Sequence, residues 1–124
     1  MKEKETKRLI NGLALGIRRC RKCRLCKSRK HAVPGEGSLT SGIFFVGEAP
    51  GKNEDEQGRP FVGLSGKFLN RMLKKIGLSR SDIFVTGSVK CRPPNNRTPK
   101  DDELKICKES WLNRQIEILD PEVI

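Results

Sequence analysis

Two sets of residues in this chain have the types and spacing to do chemistry. The first is cysteine: Cys20, Cys23 and Cys26 recur every third position in CRKCRLC, and Cys91 and Cys107 follow far downstream. Five is an odd number and no secretory-signal pattern precedes them, which argues against a closed disulfide framework. A lone CxxC is weak evidence. Two early and two late cysteines, the late pair flanking CRPPNNRTP and a helical stretch, are stronger, because four thiolates suit either Zn²⁺ or a [4Fe–4S] cluster. One of the five is then spare. Cys26 is followed by Lys-Ser-Arg-Lys, without the fourth Cys-Pro of a ferredoxin run. A small buried hydrophobe is the plain alternative for each thiol. It suits Cys107 on an apolar helix face and suits the early three poorly, since they sit in the densest basic run. The neighbouring Arg and Lys are expected to favour thiolates.

The second set is GEAPGKNEDEQGRPFVG, residues 47–63, with four glycines, two prolines and the acids Glu48, Glu54, Asp55 and Glu56. It follows the apolar run Ile43–Val46. A turn of small residues at the carboxyl end of a buried strand is where open α/β sheets bind ligands, and glycine lets a ligand approach the backbone. The acids would repel phosphate, so they are expected to orient water or to stabilise a cationic species. Phe61 could stack on a planar group. The plainer reading is a solvated acidic turn with Phe61 in the core.

The elements that must position these residues follow from periodicity. Residues 3–18 read as an amphipathic helix. Ile43–Val46 and Ile83–Val85 read as buried strands. Ser65 is expected to cap a helix with Phe68, Leu69, Met72, Leu73 and Ile76 on one stripe and Gly77 at its end. Thr98-Pro99 is expected to open one further helix, whose face holds Leu104, Cys107, Trp111, Leu112, Ile116 and Leu119. Asp120-Pro121 stops it, and Glu122–Ile124 reads as the start of a third strand. Alternating strands and helices predict a parallel α/β sheet with right-handed crossovers, built as one domain over residues 1–124. Two strands and a stub leave that domain incomplete towards its C-terminal side.

Charge narrows the partner. The chain carries 26 Lys+Arg against 15 Asp+Glu, a net +11, and residues 18–30 hold eight basic side chains and no acid. A polyanion such as nucleic acid is the expected partner. No apolar run approaches the ~18 residues of a membrane span, so a soluble, intracellular protein is expected.

The segments VGEAPGKNEDEQGRPFVGLSGKFLNRML, VKCRPPNNRTP and CRKCRLCKSRKHAVPGEG, in that relation, resemble the family 4 uracil-DNA glycosylases, the iron–sulfur type of bacteria and archaea. The resemblance runs from about residue 10 to the last residue. It implies a three-layer α/β/α sandwich with a parallel sheet, a [4Fe–4S] cluster rather than zinc, and hydrolysis of the N-glycosidic bond of uracil in single- or double-stranded DNA. It also implies a cytoplasmic, prokaryotic monomer. By position it assigns Cys20, Cys23, Cys91 and Cys107 as cluster ligands and leaves Cys26 out. It assigns Phe61 as the stacking ring, Glu48 and Ala49 with Pro50 and Gly51 to the catalytic loop, and Glu54 or Asp55 to the water. Asn96 matches the proline-rich loop beside the substrate.

Two departures from the family pattern qualify this. Gly87 stands where many members place an Asn that reads the uracil edge, and no His-Pro segment is present; the single histidine, His31, matches nothing catalytic. The expectation is a domain cut short after the start of its third strand, with weak activity or none alone. The competing expectation is a non-catalytic four-cysteine metal module that grips nucleic acid through residues 18–30.

Overall fold

A computed structural model describes residues 2–124. Helix α1 (Lys2–Arg18) has Glu3 and Glu5 in its first turn and Arg18 in its last, the arrangement that opposes the helix dipole. It buries Ile10 and Ile17, seven residues or two turns apart. A 3₁₀ turn at Arg24–Lys27 carries Cys26 and the buried Leu25. Strand β1 (Glu36–Gly37) and strand β2 (Phe44–Gly47) follow, then α2 (Lys52–Gln57), α3 (Leu64–Lys75), β3 (Phe84–Gly87), α4 (Asp101–Cys107) and α5 (Asn113–Leu119).

The three strands lie in the order β1-β3-β2. β2 and β3 are parallel, with Phe44 opposite Phe84 and Gly47 opposite Gly87. The sheet is not wholly parallel as expected, because β1 joins β3 antiparallel through Glu36 and Gly37. Two residues are too few to show a period-two pattern. The expected third strand is a single parallel bridge between Ile43 and Val123, backed by the Phe44 amide donating to the Val123 carbonyl at 2.9 Å.

Alternation along the strands builds the layers. Phe44 and Phe84, stacked with ring centroids 5.4 Å apart, face one side and pack with Ile10 and Leu112. Val85 faces the other and packs with Leu69, Leu73 and Ile83. Helices α1 and α5 thus cover one face and α3 the other, giving the α/β/α sandwich.

Five local expectations changed. α3 starts at Leu64 with Gly63 as N-cap, so Ser65 lies inside the first turn. Only Leu69 and Leu73 of its apolar stripe are buried; Phe68, Met72 and Ile76 are exposed. The last helix begins after Lys100, whose backbone N–H is capped by Glu103, rather than at Thr98-Pro99. It is also interrupted, because a π-helical turn at Lys108–Leu112 separates α4 from α5. Such bulges gather at functional sites, and this one carries Trp111 beside the cysteines. Finally, the acidic loop contains α2, with Gly58 in the left-handed conformation (φ +69°) ending it. No helix among the described residues is long and apolar enough to cross a membrane.

Candidate active site and cysteine centre

The five cysteines, distant in sequence, line one cavity together with Arg29, Val89 and Trp111. Cys20 and Cys23 come from the segment just after α1, Cys91 from the segment after β3, and Cys107 from the last turn of α4. Among the described residues no three His, Cys, Asp or Glu side chains are drawn around a single ion position. The thiols surround a space instead. Three of the sulfurs accept N–H donors: Cys107 from the Lys90 amide at 3.3 Å, Cys91 from Arg29 at 3.1 Å, and Cys20 from the Trp111 indole at 3.3 Å. An all-sulfur donor set with N–H groups aimed at the sulfurs fits an iron–sulfur cluster. Cys26 also lines the cavity, so its exclusion rests on the resemblance and not on distance.

The expected thiolates are not what this environment favours in the absence of a metal. Burial pushes the Cys107 thiol up to about 11 and raises Cys91 and Cys23 as well, outweighing the nearby Arg29 and Lys90. A metal must therefore displace protons as it binds.

Glu103 ties the cysteine-bearing segments together. The side chain is 1% exposed, and Arg97 grips both its oxygens at 2.9 Å. Arg24, between Cys23 and Cys26, adds a bond at 3.1 Å, and the Lys100 amide adds one at 2.9 Å. The Arg97 bonds, with help from Lys100 and Arg24, hold the carboxyl down at about 2 against the cost of burial. Lys90 is a second internal anchor. Its ammonium, 1% exposed as a residue, donates to Thr86 Oγ1, the Gly87 carbonyl and Gln115 Oε1 at 2.6, 2.8 and 2.7 Å, while burial lowers its pKa to about 7.

The second centre lies at the carboxyl ends of β2 and β3, where the register sets Gly47 beside Gly87. A pocket there is lined by Gly47, Ala49, Pro50, Phe61 and Gly87. It opens into a wider bowl bounded by Glu48, Gly51, Ser65 and Asn96. The two loops are joined backbone to backbone: Ser88 N donates to Gly47 O at 2.8 Å and Val89 N to Glu48 O at 3.2 Å. The Phe61 ring lies so close over Gly47 that an added Cβ would be 2.4 Å from its Cζ. Its edge meets Phe45 at 5.4 Å and 83°. Phe61 is half-buried: it packs against the cluster of Leu69, Leu73, Ile83 and Val85 and forms one wall of the pocket.

The acids separate into different jobs. Glu54 lines both spaces, but its oxygens already accept the Gly51, Val62 and Gly63 amides at 3.0, 3.0 and 2.8 Å. It has been expected to orient water; here it closes the loop on itself. Asp55 is 2% exposed and accepts the Lys30 and His31 amides at 2.9 and 3.2 Å, away from the pocket. His31 returns the contact by donating from Nδ1 to the Asp55 carbonyl at 3.0 Å. Glu48 is exposed at the rim of the bowl and is the carboxylate left to face solvent there. Asn96 is exposed, with φ +56°, and its side-chain oxygen accepts Arg92 Nε at 2.7 Å. Gly87 brings the backbone against the Glu48 loop, and a Cβ added there would stand 2.9 Å from the Val89 carbonyl.

Arg18, Arg19, Arg21, Lys22, Arg24, Lys27 and Lys30 are exposed around the cysteine segment. Lys22 Nζ sits 5.2 Å over the Trp111 ring. The positive surface and the thiol cavity therefore share one end of the molecule.

Comparison with known proteins agrees with this arrangement. Residues 34–124 match the model of the uracil DNA glycosylase superfamily. The type-4 uracil-DNA glycosylase of Saccharolobus solfataricus is 56% identical over 109 residues, which are 87% of this chain and 50% of that protein. That of Sulfurisphaera tokodaii is 56% identical over 106 residues, 85% of this chain and 48% of that protein. That of Archaeoglobus fulgidus is 51% identical over 115 residues, 93% of this chain and 57% of that protein. The chain spans about half the length of the curated relatives it matches.

Proposed function

The chain belongs to the uracil DNA glycosylase superfamily, and from that premise we propose that it carries the base-recognising part of a DNA-repair glycosylase that hydrolyses the bond between uracil and deoxyribose. The observation that carries the reading is the pocket at the strand ends, walled by Phe61 and flanked by the exposed carboxylate of Glu48.

A base inside a duplex cannot reach such a pocket, so the nucleotide must turn out of the stack, at a cost of a few kcal/mol that a mispair or a single strand lowers. The flipped uracil then stacks on Phe61, and the backbone of Ala49, Pro50 and Gly51 runs along its edge. Gly87 offers backbone groups to the base. Asn96 lies at the mouth of the bowl, where the rest of the nucleotide would pass. Glu48 orients a water towards the sugar C1′ and stabilises the positive charge that grows on the sugar as the bond to the base breaks. Its negative charge opposes the sugar alone, because the basic residues from Arg18 to Lys30 take up the phosphates.

Cys20, Cys23, Cys91 and Cys107 would hold a [4Fe–4S] cluster, which when bound would cross-link three chain segments. The all-sulfur lining of that cavity, with N–H donors on three of the sulfurs, supports the cluster reading.

The test is binding to an oligonucleotide with one 2′-fluoro-deoxyuridine, which resists hydrolysis, against the same strand with thymidine. A preference for the uracil strand, lost on F61L, supports the reading. Equal binding of both strands would instead mark a non-catalytic module that grips nucleic acid.

A further inference from the structure

Phe61 sits in the left-handed region at φ +50°, where a bulky residue is rarely found. That conformation holds only if its surroundings impose it. The six residues Gly58–Gly63 are held from three sides. Arg59 donates from Nε and Nη2 to the Glu36 carboxylate at 2.9 and 2.7 Å, fixing the start of the loop to β1. Glu54 accepts the Val62 and Gly63 amides just past Phe61. Between these, Arg80 donates from Nη2 to the Pro60 carbonyl and from Nη1 to the Phe61 carbonyl, both at 2.8 Å.

The Phe61 carbonyl is also pressed against α3. A Cβ added to Gly66 would fall 1.9 Å from it, so the helix admits this carbonyl only because residue 66 is glycine. The peptide is thus turned so that its oxygen meets Arg80 and Gly66 while the ring turns over Gly47. A single guanidinium can bridge two successive carbonyls because its donors form a rigid planar fork. Lysine offers one point charge.

We propose that Arg80 is a positioning residue for base recognition: by bridging the Pro60 and Phe61 carbonyls it holds Phe61 in its left-handed conformation and its ring over Gly47, ready to stack. This rests on the uracil-binding reading above, but the clamp has a consequence of its own. Without the bridge the peptide relaxes towards negative φ and the ring leaves its seat.

The experiment labels the intact chain with 4-fluorophenylalanine. Five phenylalanines give five ¹⁹F resonances, of which F61L identifies that of Phe61. In R80M the Phe61 resonance is expected to shift or broaden while that of Phe84, deep in the sheet, stays in place. R80K should fall between wild type and R80M, and it carries the test if R80M does not fold. Binding to the 2′-fluoro-deoxyuridine strand should fall about five- to tenfold in R80M, the low end of what one base–aromatic stack is worth. Binding to the thymidine strand should stay the same. An unmoved Phe61 resonance, with wild-type uracil preference retained, overturns the clamp and leaves the functional reading standing. A moved resonance in a protein whose wild type has no uracil preference overturns the base-positioning role along with that reading.

Discussion

Replacing Glu103 with Gln removes the charge on which the cysteine-bearing segments converge, and the structure sets the size of the effect. Glu103 accepts two bonds from Arg97, one from Arg24 and one from the Lys100 amide. Glutamine keeps one acceptor oxygen but turns an NH₂ towards a guanidinium, so about two charge-assisted bonds are lost. Each is worth about 1.5–3 kcal/mol. Arg97 and Arg24 remain 32% and 49% exposed and regain water, so the net loss is about 2–4 kcal/mol. At roughly 3–6 °C per kcal/mol for a chain of this size, Tm should fall by about 6–24 °C. The pH dependence gives a second handle. The carboxyl titrates at about 2 in the folded protein against an ordinary 4.5. Its stabilisation is therefore fully present above pH 4.5 and is lost as pH falls through 2. Thermal unfolding of both proteins from pH 7 to pH 2.5 should show a gap that is constant down to pH 4.5 and narrows below it. A gap smaller than about 0.5 kcal/mol at pH 7, the size expected of an ordinary surface substitution, would refute the reasoning.

Other outcomes follow from the same geometry. C91S should abolish the broad visible absorbance of a bound cluster, whereas C26S should retain it; loss of the absorbance in C26S would move Cys26 into the ligand set. K90M should destabilise the fold by about 2–3 kcal/mol in urea denaturation, because the Gly87 carbonyl and Gln115 Oε1 are left buried without their donor. An unchanged midpoint would mean that water replaces the ammonium.

How much of this could be read beforehand depended on whether local pattern or long-range partners decided each feature. β2 and β3 were legible as short apolar runs, and their glycine ends marked where a ligand pocket would open. The cysteine centre was legible from spacing and resemblance. β1 was not, since two residues, one of them glycine, carry no alternation. The break in the last helix was hidden because a π turn leaves the apolar spacing of its flanks intact. For Glu54 and Asp55 the residue type was legible and the hydrogen-bond partners were not. Their residue type suits water activation, but the backbone amides that occupy them lie in the same loop and after the cysteines, and only folding brings those donors in. The Arg80 clamp and the Arg24 bond to Glu103 were hidden, since those partners stand 19, 20 and 79 positions apart.

The central proposal is that the pocket walled by Phe61 and faced by Glu48 excises uracil, weakly in this chain on its own. Its most direct test is prolonged incubation of the chain with an oligonucleotide containing one deoxyuridine, single-stranded or opposite guanine, followed by alkaline cleavage at abasic sites. The account predicts scission at the uracil position only, absent with E48Q and absent from the thymidine control. Scission no greater than in the protein-free reaction, or undiminished by E48Q, would contradict it.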